Sequence, residues 1–282
     1  MSDTVQEKVG NISDILKIVS RANESFVYEI FVPSLDRNVG FREINTSQQK
    51  RLLKAVIDSP AYNTEFIIAL RNIIKENCIE DLNPDDFDIL DKLIIAMTMR
   101  SISISNDFDL QFKVPDSEES ITRRISIKDL VDDAIAKIDI KPTTINDDRG
   151  TFEILCGLPT IADEFKLENE LRKNTKSIEI TNEAQLRETV GEVFTNEIVK
   201  FIKQVNIKNE NDEIIEFNLK NLKFKDRISI LEQLPAKVNN KIIEYITSVN
   251  KEFEKVLLFS EEVNGKKIEQ RLKIDSSFFT QS

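Results

Sequence analysis

Apolar residues close to the amino terminus recur at the spacing of an amphipathic helix. Because the rest of residues 1–24 is largely polar, this spacing predicts a short helical arm ahead of the first strand. The residues that carry this spacing are Val9, Ile12, Ile15, Leu16, Ile18 and Val19. From Ser25 the chain becomes apolar and β-branched or aromatic, and after a polar turn at residues 34–38 the alternation resumes. This second pattern predicts a β-hairpin.

Three helical patterns follow the hairpin. The first begins at Thr46, and Gln49 three residues later completes a predicted capping box. The second carries its apolar stripe over residues 66–77. The third is predicted to begin at Asn83-Pro84, because asparagine is a favoured N-cap and proline suits the first helical position. Together these patterns predict a three-helix unit.

The period of the apolar residues changes from helical to alternating after the third helix. Residues 102–114 and 121–127 alternate, which predicts an antiparallel hairpin, and a short helix is predicted over residues 128–136. The stretch 138–150 is polar and contains proline and glycine, so it is the predicted boundary between two units. The predicted domains are residues 25–140 and residues 150–282.

Beyond this boundary, helices again alternate with hairpins. The predicted elements are a strand over 151–159, a helix over 161–173, a long helix from Thr181 to Ile202, a hairpin over 203–219, a helix from Pro235, and a terminal hairpin closed by Asn264-Gly265. The helix from Pro235 is long enough to pair with a helix of another chain, and packing on its own domain is the alternative. The predicted fold class is α+β, with an N-terminal hairpin, a three-helix unit and antiparallel strands followed by a second unit of helices and hairpins.

Composition excludes several kinds of function. The 282 residues include 39 Lys and Arg against 50 Asp and Glu, which gives a formal net charge of −11, and there is no histidine. Histidine is the usual general base and the commonest metal ligand, and the two cysteines, Cys78 and Cys156, are far apart in sequence. The acidic charge argues against a nucleic-acid surface, and no apolar run approaches the roughly 20 residues of a membrane span. We therefore expect no metal, no cofactor, no nucleic acid and no membrane insertion.

Acidic residues are concentrated around the third predicted helix, between Glu76 and Asp91. A calcium-binding loop needs a glycine at its sharp turn, and this segment has none. Capping of the helix N-terminus is therefore the preferred interpretation. Catalysis by carboxylates or lysine in a cytoplasmic enzyme stays open as a remote alternative, because the separation of such groups is a property of the folded chain.

Residues 26–78 resemble the opening of the baseplate hub proteins of T4-like contractile-tailed bacteriophages. The motifs that carry the likeness are Pro33-Ser34-Leu35, Phe41-Arg42-Glu43 and Gln48-Gln49-Lys50, and Ser277-Phe278-Phe279 is similar to the aromatic ending of that family. Members often carry a cysteine pair in the C-terminal hairpin, which would bind zinc. This sequence has Val263-Asn264-Gly265-Lys266 at that place, so no zinc is expected.

The resemblance implies a virion or assembly protein without enzymatic activity. We expect a structural subunit of the tail baseplate, made in the host cytoplasm, that binds hub or wedge proteins or further copies of itself. A hub assembly factor or chaperone absent from mature virions is the alternative. The residues predicted to contact partners are Ile12, Ile15, Leu16, Val19, Arg37, Arg42, Phe278 and Phe279. For the two phenylalanines, packing inside the chain is the alternative.

Overall fold

The computed structural model confirms an α+β fold, in which helices surround separate small antiparallel sheets. It describes residues 11–58, 64–114, 119–175, 195 and 197–279, apart from 210, 212, 220, 221, 264 and 276. The first elements are helix α1 (Ile12–Ser25) and the hairpin of β1 (Tyr28–Val32) and β2 (Arg37–Phe41). A 3-10 turn, Pro33–Leu35, joins the two strands, and Asp36 closes it in the left-handed region with φ 50°. The predicted arm helix and first hairpin are therefore confirmed.

The next two helices are α2 (Thr46–Asp58) and α3 (Thr64–Asn77). The capping box of α2 lies one residue earlier than predicted. The Gln48 amide N–H donates to Asn45 Oδ1 at 2.9 Å, and the Asn45 amide N–H donates to Gln48 Oε1 at 3.1 Å. The buried side-chain amide of Gln48 also donates to Asn77 Oδ1 of α3, at 2.9 Å, which ties the cap of α2 to the end of α3.

Helix α4 (Ile89–Ser103) begins five residues later than the Asn83-Pro84 signal predicts. Asn83-Pro84 starts only a single 3-10 turn, Pro84–Asp86. Asp88 is the N-cap of α4 and forms a reciprocal capping box with Asp91. The helix also continues through Ile102, which had been predicted as a strand residue, and the strand β3 (Asp107–Lys113) follows. Because α4 is buried around most of its circumference, its apolar pattern has no polar face to mark where the helix ends.

Strand β3 pairs with β4 (Ser120–Ser126) and is followed by α5 (Ile127–Lys137), which confirms the second hairpin and the short helix. A four-stranded antiparallel sheet comes next, in the order β5-β6-β7-β8. Its strands are β5 (Thr143–Asn146), β6 (Phe152–Cys156), β7 (Ile202–Lys208) and β8 (Ile214–Asn218). Strand β5 lies within the stretch 138–150, and the division of the chain at that stretch stays a prediction.

Helix α6 (Ile161–Thr175) follows β6, as predicted. Most of the long helix predicted from Thr181 lies outside the described residues. Its predicted end is wrong, because Ile202 belongs to β7, where it pairs with Cys156. The turn before it is closed by the Phe201 amide N–H, which donates to the Ile198 carbonyl at 3.1 Å.

The last part of the chain contains α7 (Phe224–Gln233), α8 (Ala236–Leu257) and the hairpin of β9 (Leu258–Val263) and β10 (Lys266–Arg271). Helix α7 had not been predicted, whereas α8 and the terminal hairpin are confirmed. Gly265 has φ 74° in the turn of that hairpin. The apolar stripe of α8 is buried within this chain, and the buried residues of both halves form one continuous core from Ile30 to Phe279.

Candidate interaction surfaces

Helix α1 presents an apolar face to solvent. Asn11 caps it by accepting a hydrogen bond from the Ser13 amide N–H at 3.3 Å, and every described side chain from Asn11 to Val19 is exposed. The exposed fractions of the four predicted contact residues are 72% for Ile12, 51% for Ile15, 61% for Leu16 and 49% for Val19. Four aliphatic side chains on one helix face are costly to leave in water, so this face is a candidate docking surface.

The root of the arm adds to this apolar surface. Phe26, between α1 and β1, is 58% exposed, and its neighbour Val27 is also exposed. Val27 and Ile79 lie over Gly40 of β2, where a β-carbon would come within 2.7 Å of Ile79 Cδ1 and 3.1 Å of Val27 Cγ1. Gly40 therefore allows two apolar side chains to lie directly on the hairpin backbone.

The first hairpin holds its charged residue Arg37 by an ion pair within the chain. Arg37 Nη2 donates to Glu80 Oε2 at 2.8 Å, and Glu80 Oε1 accepts the Gly40 amide N–H at 3.0 Å. The hydrogen bond from Arg37 lowers the pKa of Glu80, and the same bond raises the pKa of Arg37. Because both side chains are partly exposed, Arg37 orders the hairpin and still faces solvent.

Arg42 lies at the other end of β2 and is half-buried. Its amide N–H donates to the Asn77 carbonyl at 2.9 Å, which ties the hairpin to the end of α3. Its Nε is buried and has no hydrogen-bond partner among the described residues. Arg42 therefore follows the end of β2 that pairs with the start of β1, whereas Arg37 lies at the turn end of the hairpin.

The two phenylalanines predicted to contact partners lie inside the core. Phe278 and Phe279 are fully buried in a 3-10 turn, Ser277–Phe279. The ring of Phe279 lies 6.0 Å from that of Phe66 in α3, and the ring of Phe278 lies 5.4 Å from that of Phe108 in β3. Packing inside the chain thus accounts for both rings, and in this fold neither offers a surface to a partner.

Polar contacts fix the same turn. Arg100 Nε of α4 donates to the Phe278 carbonyl at 2.5 Å, and Gln49 Nε2 of α2 donates to the Phe279 carbonyl at 3.1 Å. Arg100 is buried between the rings of Phe108 and Phe278, and this burial lowers the pKa of its guanidinium. We call these contacts the terminal clasp: Gln49, Phe66, Arg100, Phe108, Phe278 and Phe279.

A buried ionic cluster joins α6, β7 and α7. Asp163 Oδ1 accepts Arg227 Nη1 at 2.9 Å, and Asp163 Oδ2 accepts Lys203 Nζ at 3.0 Å. Burial favours the neutral acid, but the two cations outweigh it and the pKa of Asp163 is lowered to about 2. Burial also lowers the pKa of Lys203. The mutual pairing of these charges indicates a structural role. Sequence reasoning missed the cluster, because its members are separated by dozens of residues.

The acidic segment near α4 serves local structure. Asp85 accepts Arg71 Nε at 2.7 Å, and Asp88 and Asp91 form the capping box of α4. Asp91 Oδ1 also accepts the Ser34 amide N–H at 2.9 Å, which ties α4 to the first hairpin. Within the described ranges, no group of three or more His, Cys, Asp or Glu side chains could hold a metal ion.

A polar groove of about 210 Å³ lies between β3 and the end of the terminal hairpin. It contains two carboxylates, which is the arrangement that a carboxylate-dependent enzyme would need. Asp109 accepts Arg124 Nε at 3.1 Å, and Asp275 accepts the amide N–H and hydroxyl of Ser277. Both carboxylates therefore hold neighbouring parts of the fold. An apolar groove of about 230 Å³ lies between α3, α4 and α8.

Comparison with known proteins identifies the family. The model of the family described as T4 bacteriophage base plate protein matches residues 24–273, which is most of the chain and includes the first hairpin. No curated protein and no solved structure matches. Of the helices that the structure describes, none has the length and apolar character to cross a membrane. The chain therefore belongs to the family of T4 bacteriophage base plate proteins, whose members are generally structural.

Proposed function

We propose that this chain is a structural subunit of the phage tail baseplate, located at or near the hub, and that it binds neighbouring hub or wedge proteins. The observation that carries this proposal is the apolar face of α1, which is exposed while the rest of the fold has a continuous core. A subunit whose role is to join other proteins needs such a surface, whereas an enzyme needs a concave site with poised groups.

We further propose that the contact surface continues from α1 to the first hairpin. Phe26 and Val27 connect the two, Arg42 follows the end of β2 that pairs with the start of β1, and Arg37 lies at the turn end of the hairpin. Arg37 is already paired with Glu80, so it contributes to orientation and register more than to affinity. The protein is then made in the host cytoplasm and becomes part of the virion.

Mass spectrometry of purified tails tests this proposal. We expect this chain in mature particles at a fixed ratio to the other baseplate proteins. Abundance in infected-cell lysate together with loss from particles would instead indicate an assembly factor. The contact surface is tested in the same assay with Leu16→Glu, which places a charge on the apolar face of α1, and with the matched control Ser13→Glu on its exposed polar side.

We expect Leu16→Glu to lower incorporation into particles and Ser13→Glu to leave it unchanged. Circular dichroism of each purified variant separates loss of contact from loss of folding. Equal incorporation of both variants would contradict the proposal that the apolar face of α1 contacts other baseplate proteins.

A further inference from the structure

Strand β8 is an open edge of the four-stranded sheet. It lies at one end of the order β5-β6-β7-β8, and among the described residues no further strand pairs with it. The opposite edge is covered, because α8 contacts β5 and Lys241 Nζ donates to the Asn146 carbonyl at 2.8 Å. Edge strands are commonly protected by lysine, proline or a bulge. Strand β8 contains neither lysine nor proline and pairs with β7 in an unbroken register, so this edge is able to pair with another strand.

The backbone groups on this edge point outward at Ile214 and Glu216. The Asn209 amide N–H donates to the Glu213 carbonyl at 2.9 Å, so Glu213 faces β7. Bonding alternates along an antiparallel pair, which directs the N–H and C=O of Ile215 toward β7 and those of Ile214 and Glu216 away from it. Both of these residues are exposed. Their donors and acceptors are the groups that an added β-strand satisfies.

The apolar face of the sheet also reaches solvent at β8. A row of paired residues crosses the sheet from Ile145 through Ile154 and Val205 to Phe217. The first three are buried, whereas Phe217 is 41% exposed, and Ile215 on the same face is 44% exposed. The apolar layer therefore ends on two side chains that are only partly covered. A strand added to this edge extends the layer and covers both of them.

The pattern of β8 is complementary to a second copy of itself. Residues that lie opposite each other in an antiparallel pair project to the same face of the sheet. Because the outward backbone groups belong to Ile214 and Glu216 in each copy, Ile215 and Phe217 of both copies project to one face. Pairing through β8 thus joins the sheets of two copies into one continuous sheet, with the apolar layers on the same side.

The charges beside β8 favour an antiparallel arrangement of the two copies. The five residues before the strand include three acidic side chains and no basic one, whereas the five residues after it include two lysines and no acidic one. In an antiparallel pair the start of each strand lies beside the end of the other. The acidic flank of each copy therefore approaches the basic flank of its partner, which offsets the repulsion between two chains of net charge −11.

We propose that β8 pairs antiparallel with β8 of a second copy of this chain, so that the two sheets join edge to edge. The surface involved is a different element from α1, and the inference does not rest on the proposed function. Each strand contributes five residues, so the shared area is small and the dimer should dissociate on dilution.

Light scattering of the purified full chain over a concentration series tests the proposal. We expect the mass to rise from one chain toward two. Glu216→Pro removes an N–H that points away from β7, so it should keep the chain monomeric while the bonds between β7 and β8 remain. Glu216→Ala is the matched control, because it removes the same carboxylate, retains the N–H and should dimerise. A single-chain mass for the unaltered chain, or equal behaviour of the two variants, would overturn the proposal.

Amide hydrogen exchange provides a second measurement that needs no variant and decides the matter if circular dichroism shows that Glu216→Pro is unfolded. We expect the amides of Ile214 and Glu216 to become protected as the concentration of the unaltered chain rises. The amides of Ile215 and Phe217 already face β7 and should change little. Exchange at Ile214 and Glu216 that does not depend on concentration would contradict the pairing.

This inference and the proposed function fail in different ways. If the purified chain is monomeric but Glu216→Pro alone is lost from particles, β8 pairs with a strand of a different baseplate protein, so the inference fails and the proposed function stands. If the chain dimerises through β8 but is absent from mature tails, the inference stands and the structural role in the baseplate fails.

Discussion

Gly40 shows how a single residue can determine the surface beside the arm. Its missing side chain leaves room for Ile79 and Val27, both of which remain exposed. Any side chain at this position would push Ile79 away from the hairpin. The apolar root of the arm therefore depends on a residue that contributes no atoms to the surface itself.

We expect Gly40→Ala to lower the free energy of unfolding by about 1–2 kcal/mol, because the new methyl group would overlap Ile79 Cδ1 and Cγ1. The double variant Gly40→Ala/Ile79→Ala should recover most of this loss, since it removes the overlapping atoms. Urea denaturation of the two single variants and the double variant measures the coupling between the sites. Additive effects would show that the strain lies elsewhere in the hairpin.

Side-chain contacts were the part of the structure that sequence reasoning predicted least well. The apolar stripe of the arm helix could be predicted, because its spacing is visible in the sequence, and its role as a contact stays a prediction. The pairing of Arg37 with Glu80 and the cluster around Asp163 depend on residues that only the fold brings together. Phe278 and Phe279 were recognised as unusual, but their burial depends on Arg100 and Phe108, which the sequence does not link to them.

At the level of elements, the terminal clasp is the contact with the clearest energetic consequence. Phe278→Ala should lower the free energy of unfolding by about 3–5 kcal/mol, because it empties a fully buried site beside Phe108. Phe217→Ala in β8 is the matched control, since Phe217 is 41% exposed and should lose much less. Urea denaturation compares the two. A loss for Phe278→Ala as small as that expected for Phe217→Ala would mean that the clasp contributes little to the free energy of unfolding.

Helices and hairpins could be predicted where apolar residues recur at regular spacing. The errors lie where a buried polar residue, a strand with a single buried residue or a stronger helix cap departs from that spacing. Helix α7 was missed because Arg227 occupies a buried position that a periodic pattern expects to be apolar. Strand β5 was missed because Ile145 is its one buried residue. Helix α4 begins later than predicted because Asp88 and Asp91 form a reciprocal capping box, which is a stronger cap than Asn83-Pro84.

For the whole molecule, a half-buried carboxylate, Asp88, and a buried one, Asp163, predict opposite responses of stability to acid. Burial, followed by the charge of Asp91, raises the pKa of Asp88 to about 6 from an ordinary value of 3.8, while that of Asp163 is lowered to about 2. A raised pKa favours the protonated folded state, so Asp88 adds stability as pH falls through about 6. Asp163 stabilises only as a carboxylate, so its contribution is lost as pH falls from about 4 toward 2.

We therefore expect the free energy of unfolding to rise from pH 7 to about pH 4 and then to fall steeply. Asp88→Asn retains a side-chain oxygen for the helix cap but cannot titrate, so it should remove much of the rise and leave the fall in place. Chemical denaturation at a series of pH values measures both parts. If the free energy of unfolding of Asp88→Asn rises as much as that of the unaltered chain, the rise comes from the general loss of negative charge at low pH and not from Asp88.

The terminal clasp also bears on how the protein folds, because it joins residues that are far apart in the chain. Arg100 and Phe278 are separated by 178 positions, and Gln49 and Phe279 by 230. Contacts of such long range form slowly, because a long loop must be closed before they can stabilise the fold. The apolar site beside α3 and β3 therefore stays open to solvent until residues 278 and 279 have docked against Phe66 and Phe108.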